Sequence, residues 1–284
     1  MRSNFTILEH FISSKSGNAH ACEDGISIGE NFVAVIDGAT SKTERKWKGE
    51  TPGRTAARIL ADALKQLPPS SNAVDAVKFL TTAIDETYKL YEVKQIVAED
   101  PKQRICASVA IFSNERQEIW MVGDCQVLMG DQLFCEQKAI DILLATVRSI
   151  FLEIEIARGE QIENLLNDDL GRKLILPLLE RQTFLQNNPA SGDYWYPVLD
   201  GFTVPEMGIK VLPIPSDVDM VILATDGYPV LRNNLKDSEA ELRRVLSSDP
   251  LLFRQHKSTK GVRSGDQSFD DRAYIKIRIN RPEK

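Results

Sequence analysis

Apolar positions change period several times along this chain, and the changes mark its elements. Residues 5–13 and 26–37 read as strands, the second interrupted by a turn at Gly29 to Asn31 and ending in FVAVIDG. Over roughly 52–66, Ala57, Leu60, Ala61 and Leu64 fall at helical spacing, with Pro52 suited to a first turn. After LPPSSN, the stripe Val77, Leu80, Ile84, Tyr88 and Tyr91 predicts a longer helix, capped by Asn72 with Asp75 in its first turn. Between 105 and 135, ICASVAIFS, EIWMVGD and QVLMGDQLFC are short apolar segments parted by turn residues, which predicts an antiparallel meander. Residues 138–187 return to helical spacing, with a break or kink expected at Pro177. YWYPVLDG, EMGIKVLPIP, DMVILATDG and DRAYIKIRI predict strands, and Ser238 with Glu241 suggests a capping box on a helix near 238–247. Strands outside two helical blocks, with hairpins dominating, predict one α+β layered domain over 1–284, in which 138–200 forms a helical insertion or flap.

Composition changes this picture little. A chain of 284 residues, 42% hydrophobic and 27% charged, can bury a sizeable core. The formal charge of −6 weighs against a nucleic-acid binder, which needs a basic face. Cys22, Cys106, Cys125 and Cys135 form no C-x-x-C pair, and only His10, His20 and His256 accompany them. A structural zinc site and a disulfide framework both lack their spacing, and reduced thiols suit a cytoplasmic protein. The first residues lack the apolar core of a signal peptide, and the most apolar run, Ile142 to Ala157, is broken by Arg148, Glu153 and Glu155. Neither export nor membrane insertion is expected.

The chemistry lies in acids at strand ends. Phe32 to Ile36 runs into Asp37-Gly38, Met220 to Thr225 into Asp226-Gly227, and Trp120 to Gly123 into Asp124. Any one Asp-Gly after a strand is often only a turn. Two further pairs change the weighing: Glu23-Asp24 opens the strand leading to Asp37, and Asp270-Asp271 opens the last strand. Carboxylates gathered at one edge repel, and a hard divalent cation relieves that repulsion. Oxygen donors without His or Cys suit Mg²⁺ or Mn²⁺ better than zinc. No G-x-S-x-G elbow, phosphate-binding Gly-rich loop or H-E-x-x-H is present.

CEDG at 22–25, VAVIDGAT at 33–40, VGDCQVLM at 122–129, ILATDGY at 222–228 and FDDRAYI at 269–275 together resemble the PPM-type (2C-type) metal-dependent protein serine/threonine phosphatases, in that family's order and over nearly the whole chain apart from 138–200. The resemblance implies a β-sandwich of two antiparallel sheets flanked by helices, in α-β-β-α layers. It implies two divalent cations, Mn²⁺ or Mg²⁺: Asp37 bridges them, Glu23 and the Gly38 carbonyl serve one, and Asp226 and Asp270 the other. Asp124 stands close by, through water or in a weaker third site, with Asp24 and Asp271 in support. Asp37 and Asp226 then act through a hydroxide held between the cations, which attacks phosphorus in line.

The chain departs from the family at three places. Ala39 stands where many members carry His, with His20 as a substitute candidate for protonating the leaving group. Ala19 stands where many carry a phosphate-gripping Arg, leaving Lys15, Lys42 or Arg45 for that role. Val230 replaces an Asp that often completes the third site. The expected function is hydrolysis of phosphoserine or phosphothreonine in a protein substrate. The alternatives are a catalytically weak or inactive relative serving as a binding module, and a phosphatase of a small phosphorylated molecule. Trp195 and Tyr196 are candidates to line an entrance.

Overall fold

The computed structural model describes residues 4–40 and 42–281. Its first elements are β1 (Phe5–Ser13), β2 (Gly25–Ile28) and β3 (Phe32–Gly38), then α1 (Pro52–Leu64), α2 (Ala73–Leu90) and the short α3 (Lys94–Glu99). Four strands follow: β4 (Ala107–Ser113), β5 (Glu118–Val122), β6 (Gln126–Met129) and β7 (Gln132–Cys135). The helical block is α4 (Ala139–Ala157), α5 (Ile162–Asn167) and α6 (Leu170–Arg181), and the chain ends with β8 (Lys210–Pro213), β9 (Met220–Ala224), α7 (Leu235–Ser248) and β10 (Arg272–Ile279).

Two five-stranded sheets result, ordered β2-β3-β4-β5-β8 and β1-β10-β9-β6-β7. Every pairing within them is antiparallel. Alternation along β3 explains its unbroken apolar run. Val33 and Val35 point into the layer between the sheets, against residues such as Val221, Leu223 and Ile275. Phe32, Ala34 and Ile36 point outward, against Leu60 of α1 and Leu80 and Ile84 of α2. A strand buried on both faces reads as continuous hydrophobic sequence. Leu80, Ile84 and Leu60 are fully buried, each contributing roughly 1.5–3 kcal/mol by transfer from water. The second sheet's outer face, with Leu128, Ile222 and Tyr274, is covered by Tyr228, Leu231 and Leu235 at the start of α7. This is the layered sandwich that the resemblance implied.

Several local expectations are met atom by atom. Pro52 opens α1 behind the Thr51 cap, and the Asn72 side chain accepts from the Asp75 amide at the head of α2. Others need correction. Residues 105–135 are not one meander: β4 and β5 belong to one sheet and β6 and β7 to the other, the chain crossing between them at Gly123 to Cys125. Pro177 does not break its helix; α6 runs through it. The carbonyl of Lys173, four residues before, loses its amide partner, but Lys173 is exposed and water can serve. YWYPVLDG makes no named strand; it holds isolated bridges, Gln186 with Tyr196 and Ala107 with Leu199. Helix α7 starts earlier than expected, capped by Asn234, which accepts from the Asp237 amide. Ser238 lies inside the helix, its hydroxyl returned to the carbonyl of Asn234.

Arg148, fully buried in α4, ties the helical block to the sandwich. Its Nη2 donates to Asp169 Oδ2 at 2.6 Å and to the Leu251 carbonyl at 2.8 Å, and its Nη1 to the Ser258 carbonyl at 2.9 Å. Residues 251–259 are thereby fixed against α4. Among the described residues, no helix is long and apolar enough to cross a membrane.

Candidate functional site

Antiparallel register forces the acids together. Asp37, at the end of β3, pairs with Ser108 at the start of β4, and Gly25, at the start of β2, pairs with Ile36. The end of β5, leading to Asp124, falls at the same edge. In the facing sheet, Ser13 of β1 pairs with Arg272 of β10, and Gln126 of β6 with Ala224 of β9, so Asp270, Asp271 and Asp226 reach that edge too. Gly38 lies inside β3, and the turn reading of its Asp-Gly fails there. A Cβ on Gly38 would stand 2.2 Å from the Glu23 carbonyl oxygen and 2.4 Å from that of Gly53, so only glycine lets the three segments meet.

Asp37, Asp124, Asp226 and Asp270 line one cleft of about 130 Å³. It opens into a neighbouring cavity of about 450 Å³ that runs along α4 and shares Asp124, Lys138 and Asp226. Beside the cleft, Asp271 works as an anchor: its oxygens accept from the Lys15 amide at 2.8 Å and the Glu23 amide at 2.7 Å. Asp24 accepts from the Thr225 hydroxyl at 2.6 Å, and Thr225 Oγ1 in turn accepts from the Ala273 amide. Glu23 is 5% exposed, and its Oε1 is buried without a hydrogen-bond partner. The carboxylates of Asp37 and Asp226 receive no hydrogen bond from any described residue.

Lysines enter this cluster. Lys138 Nζ lies 2.7 Å from Asp124 Oδ2, whose other oxygen accepts from the Ser108 hydroxyl at 2.6 Å. Lys260 pairs closely with Asp270. Lys15 Nζ stands 3.5 Å from Glu23, 3.6 Å from Asp270 and 3.7 Å from Asp271. Seven carboxylates thus face three ammonium groups.

The proton affinities follow from this imbalance. Burial, then the charges of Asp24, Asp124 and Asp270, pushes Asp37 well above the usual carboxylate range. Asp24 moves the same way, by burial and by Asp270, Asp271 and Asp226, against the Thr225 hydrogen bond. Asp226 is open to cleft water, yet the enclosing walls and then Asp37, Asp270 and Asp124 also drive it upward. Burial opposes ionisation of Asp124 and Asp270 as well. Lys138 with Ser108 outweighs it at Asp124, and Lys260 with Lys15 outweighs it at Asp270, so both fall below the usual range.

Do these residues suit divalent cations? The donors are all oxygen, three acids are driven toward protonation by burial and then by neighbouring carboxylates, and Glu23 carries an orphaned buried oxygen. In charge and donor chemistry the set fits Mg²⁺ or Mn²⁺. Among the described residues, no three Asp, Glu, His or Cys side chains already surround one point as ligands. Asp124 and Asp270 turn to lysines instead.

Basic side chains form another part of the cleft's wall. Lys42, Arg172 and Lys260 line it with Thr40 and Thr259. Lys42 was legible as a candidate cation; Arg172, Lys138 and Lys260 were not. Of the other candidates, Lys15 sits among the acids, and Arg45 turns away to Gln103. His20 is exposed on a turn, its amide donating to Asn18, and does not line the cleft. Tyr196 does line it, buried, with the Lys138 ammonium 5.3 Å from its ring centre, whereas Trp195 does not.

No protein-family model and no curated protein matches this chain. Among solved structures, it is similar to the serine/threonine phosphatase PstP/Ppp of Mycobacterium tuberculosis, at 13% identity over 98% of this chain and 99% of that one, with a TM-score of 0.48. It is also similar to PppA, a regulatory component of T6SS in Pseudomonas aeruginosa, at 14% identity over 96% and 97%, with a TM-score of 0.46. RsbX in complex with magnesium gives 11% identity over 97% and 99%, with a TM-score of 0.45. Likeness at these identities and scores decides nothing about chemistry, which has to be argued from the cleft itself.

Proposed function

We propose that this chain is a metal-dependent phosphomonoester hydrolase acting on phosphoserine or phosphothreonine in protein substrates. The observation that carries the reading is the surplus of carboxylate at one edge of the sandwich, in a narrow cleft that lysine and arginine also line. Glu23, Asp37, the Gly38 carbonyl, Asp226 and Asp270 would hold two Mn²⁺ or Mg²⁺ ions, with Asp124 a weaker contributor. Bound cations supply an acidified water as nucleophile and a sink for charge on the phosphoryl oxygens.

The chain's own side chains do the rest. Asp271 and Asp24 hold the strand ends that carry the acids, through the Lys15 and Glu23 amides and the Thr225 hydroxyl. Lys42 and Arg172 offer charge-assisted hydrogen bonds to a phosphoryl group, replacing the arginine that the family carries where Ala19 stands. The larger cavity along α4 offers room for the residues flanking a phosphorylated side chain. Four free cysteines, three of them buried, accord with a reducing, cytoplasmic setting.

A specific observation favours a second reading. Lys138 and Lys260 already neutralise two of the acids, and Ala39 offers no proton donor, as would suit a non-catalytic relative that only binds phosphorylated partners. Hydrolysis of an aryl phosphate with added Mn²⁺, compared between wild type and Asp37→Asn, separates the two. Turnover that drops by at least about a hundredfold in the variant supports the hydrolase, on the usual scale for losing a group that organises metal-assisted attack. A wild type that binds Mn²⁺ and phosphopeptide without turnover leaves the binding module.

A further inference from the structure

We propose that Lys138 and Lys260 are built-in counter-cations of the acid cluster, which divalent ions must displace from Asp124 and Asp270 in order to bind. This rests on the metal-binding part of the function proposed above, and it concerns affinity instead of turnover.

The geometry gives each ammonium both a reason to be there and somewhere else to go. Lys138 stands at the N-cap position of α4 and reaches Asp124 Oδ2 at 2.7 Å, a charge-assisted contact that competes with a cation for that oxygen, while Ser108 holds the other. Asp141 Oδ2 lies 3.9 Å from the same ammonium, and the Tyr196 ring stands 5.3 Å away. A displaced Lys138 therefore keeps a carboxylate and an aromatic face, and it does not have to be buried uncompensated. Lys260 holds Asp270 and also donates to Thr40 Oγ1 at 3.3 Å, which gives it a neutral resting partner beside the cleft. Lysine suits such a role better than arginine, being a point charge on a flexible stem with no fixed bidentate geometry.

Both counter-cations come from outside the sandwich strands. Lys138 heads the helical block, and Lys260 follows the 251–259 segment that Arg148 pins to that block. The acids are placed by strand register and their competitors by the insertion, so occupancy of the cluster becomes a property of how the insertion sits.

Calorimetric titration of Mn²⁺ into wild type, Lys138→Met, Lys260→Met and Lys138→Arg tests this. The Met variants should bind about tenfold tighter or more, the order expected when a competing partly buried ion pair is removed, and Lys138→Arg should bind no tighter than wild type. Met variants with unchanged or weaker affinity overturn the proposal. Should a Met variant fail to fold, amine-reactive labelling of the wild type decides. Added Mn²⁺ should raise modification of Lys138 and Lys260 severalfold while leaving exposed Lys173 unchanged, and labelling that stays level or falls overturns the idea. Variants that bind tightly beside a wild type that never hydrolyses aryl phosphate would sink the hydrolase and keep this inference. Equal affinity throughout with active enzyme would do the reverse, and no Mn²⁺ binding by any form would remove both.

Discussion

The acidic and basic parts of the cleft wall are built by different means. Every acid stands in a strand or within two residues of one, where antiparallel register brings it to the shared edge: Asp37 against Ser108, Asp271 just before the Arg272 that pairs with Ser13. The cations stand on a loop (Lys42, Lys260), at a helix cap (Lys138) and in a first helical turn (Arg172), on long stems. A row of like charges needs a stiff frame, because each member gains by moving away from the others. Cations facing that row are drawn inward by its field and need no such frame. The acid wall should therefore be sensitive to substitution in stability, and the basic wall in binding.

The largest expected effect strikes the acid wall. Asp271 is 2% exposed and satisfies two backbone amides from different segments. Replacing it with Ala strands both donors and weakens the hold on Lys15, and the unfolding free energy in urea should drop by about 3–5 kcal/mol. A loss below about 1 kcal/mol, the size of an ordinary surface change, would mean that strand pairing alone keeps the acids in place.

A smaller effect is expected from pH. Asp24 and Asp37 have folded-state pKa values raised above the ordinary 3.8. The native chain therefore holds protons that the unfolded chain has released, and metal-free stability should decline as pH rises above that value. Asp124 and Asp270 are lowered, so the stability they contribute is present above 3.8 and disappears as pH falls through their depressed values. Melting temperature followed from pH 4 to 8 should fall without metal and flatten with Mn²⁺. A metal-free profile that rises across that window would show that the lysines already balance the acids.

The same contrast explains what could be read from the sequence. Strand-then-acid is a local signal, so Asp37, Asp226, Asp124 and the pairs at 23–24 and 270–271 stood out, whereas the sandwich they sit on was implied by the family resemblance those segments carry. Nothing local marks Lys138 or Lys260: each becomes significant only because a helix start or a loop happens to face the acids. The crossing at Gly123 to Cys125 was also hidden, since a hairpin within one sheet and a switch between two sheets share the same turn residues. Pro177 misled for a related reason. Its cost depends on whether the orphaned carbonyl meets water or protein, and that is a tertiary fact.

The smallest effect tests the basic wall at Lys42. Burial, partly offset by Asp141 and reinforced by Arg172, Lys138 and Lys260, brings its ammonium down to about 8. A bound phosphate dianion would favour the charged form, so phosphate affinity should be full below that pH and weaken as pH rises through it, where phosphate itself no longer changes charge. Lys42→Met should bind inorganic phosphate about three- to tenfold more weakly at pH 7, on the scale of one charge-assisted hydrogen bond at a half-open site, and should lose the slope above pH 8. The fold should be spared, because Lys42 belongs to no strand or helix. A variant that keeps both the affinity and the slope would move phosphate recognition to Arg172 and the lysines on the acids, and would leave the two walls less separate than their construction implies.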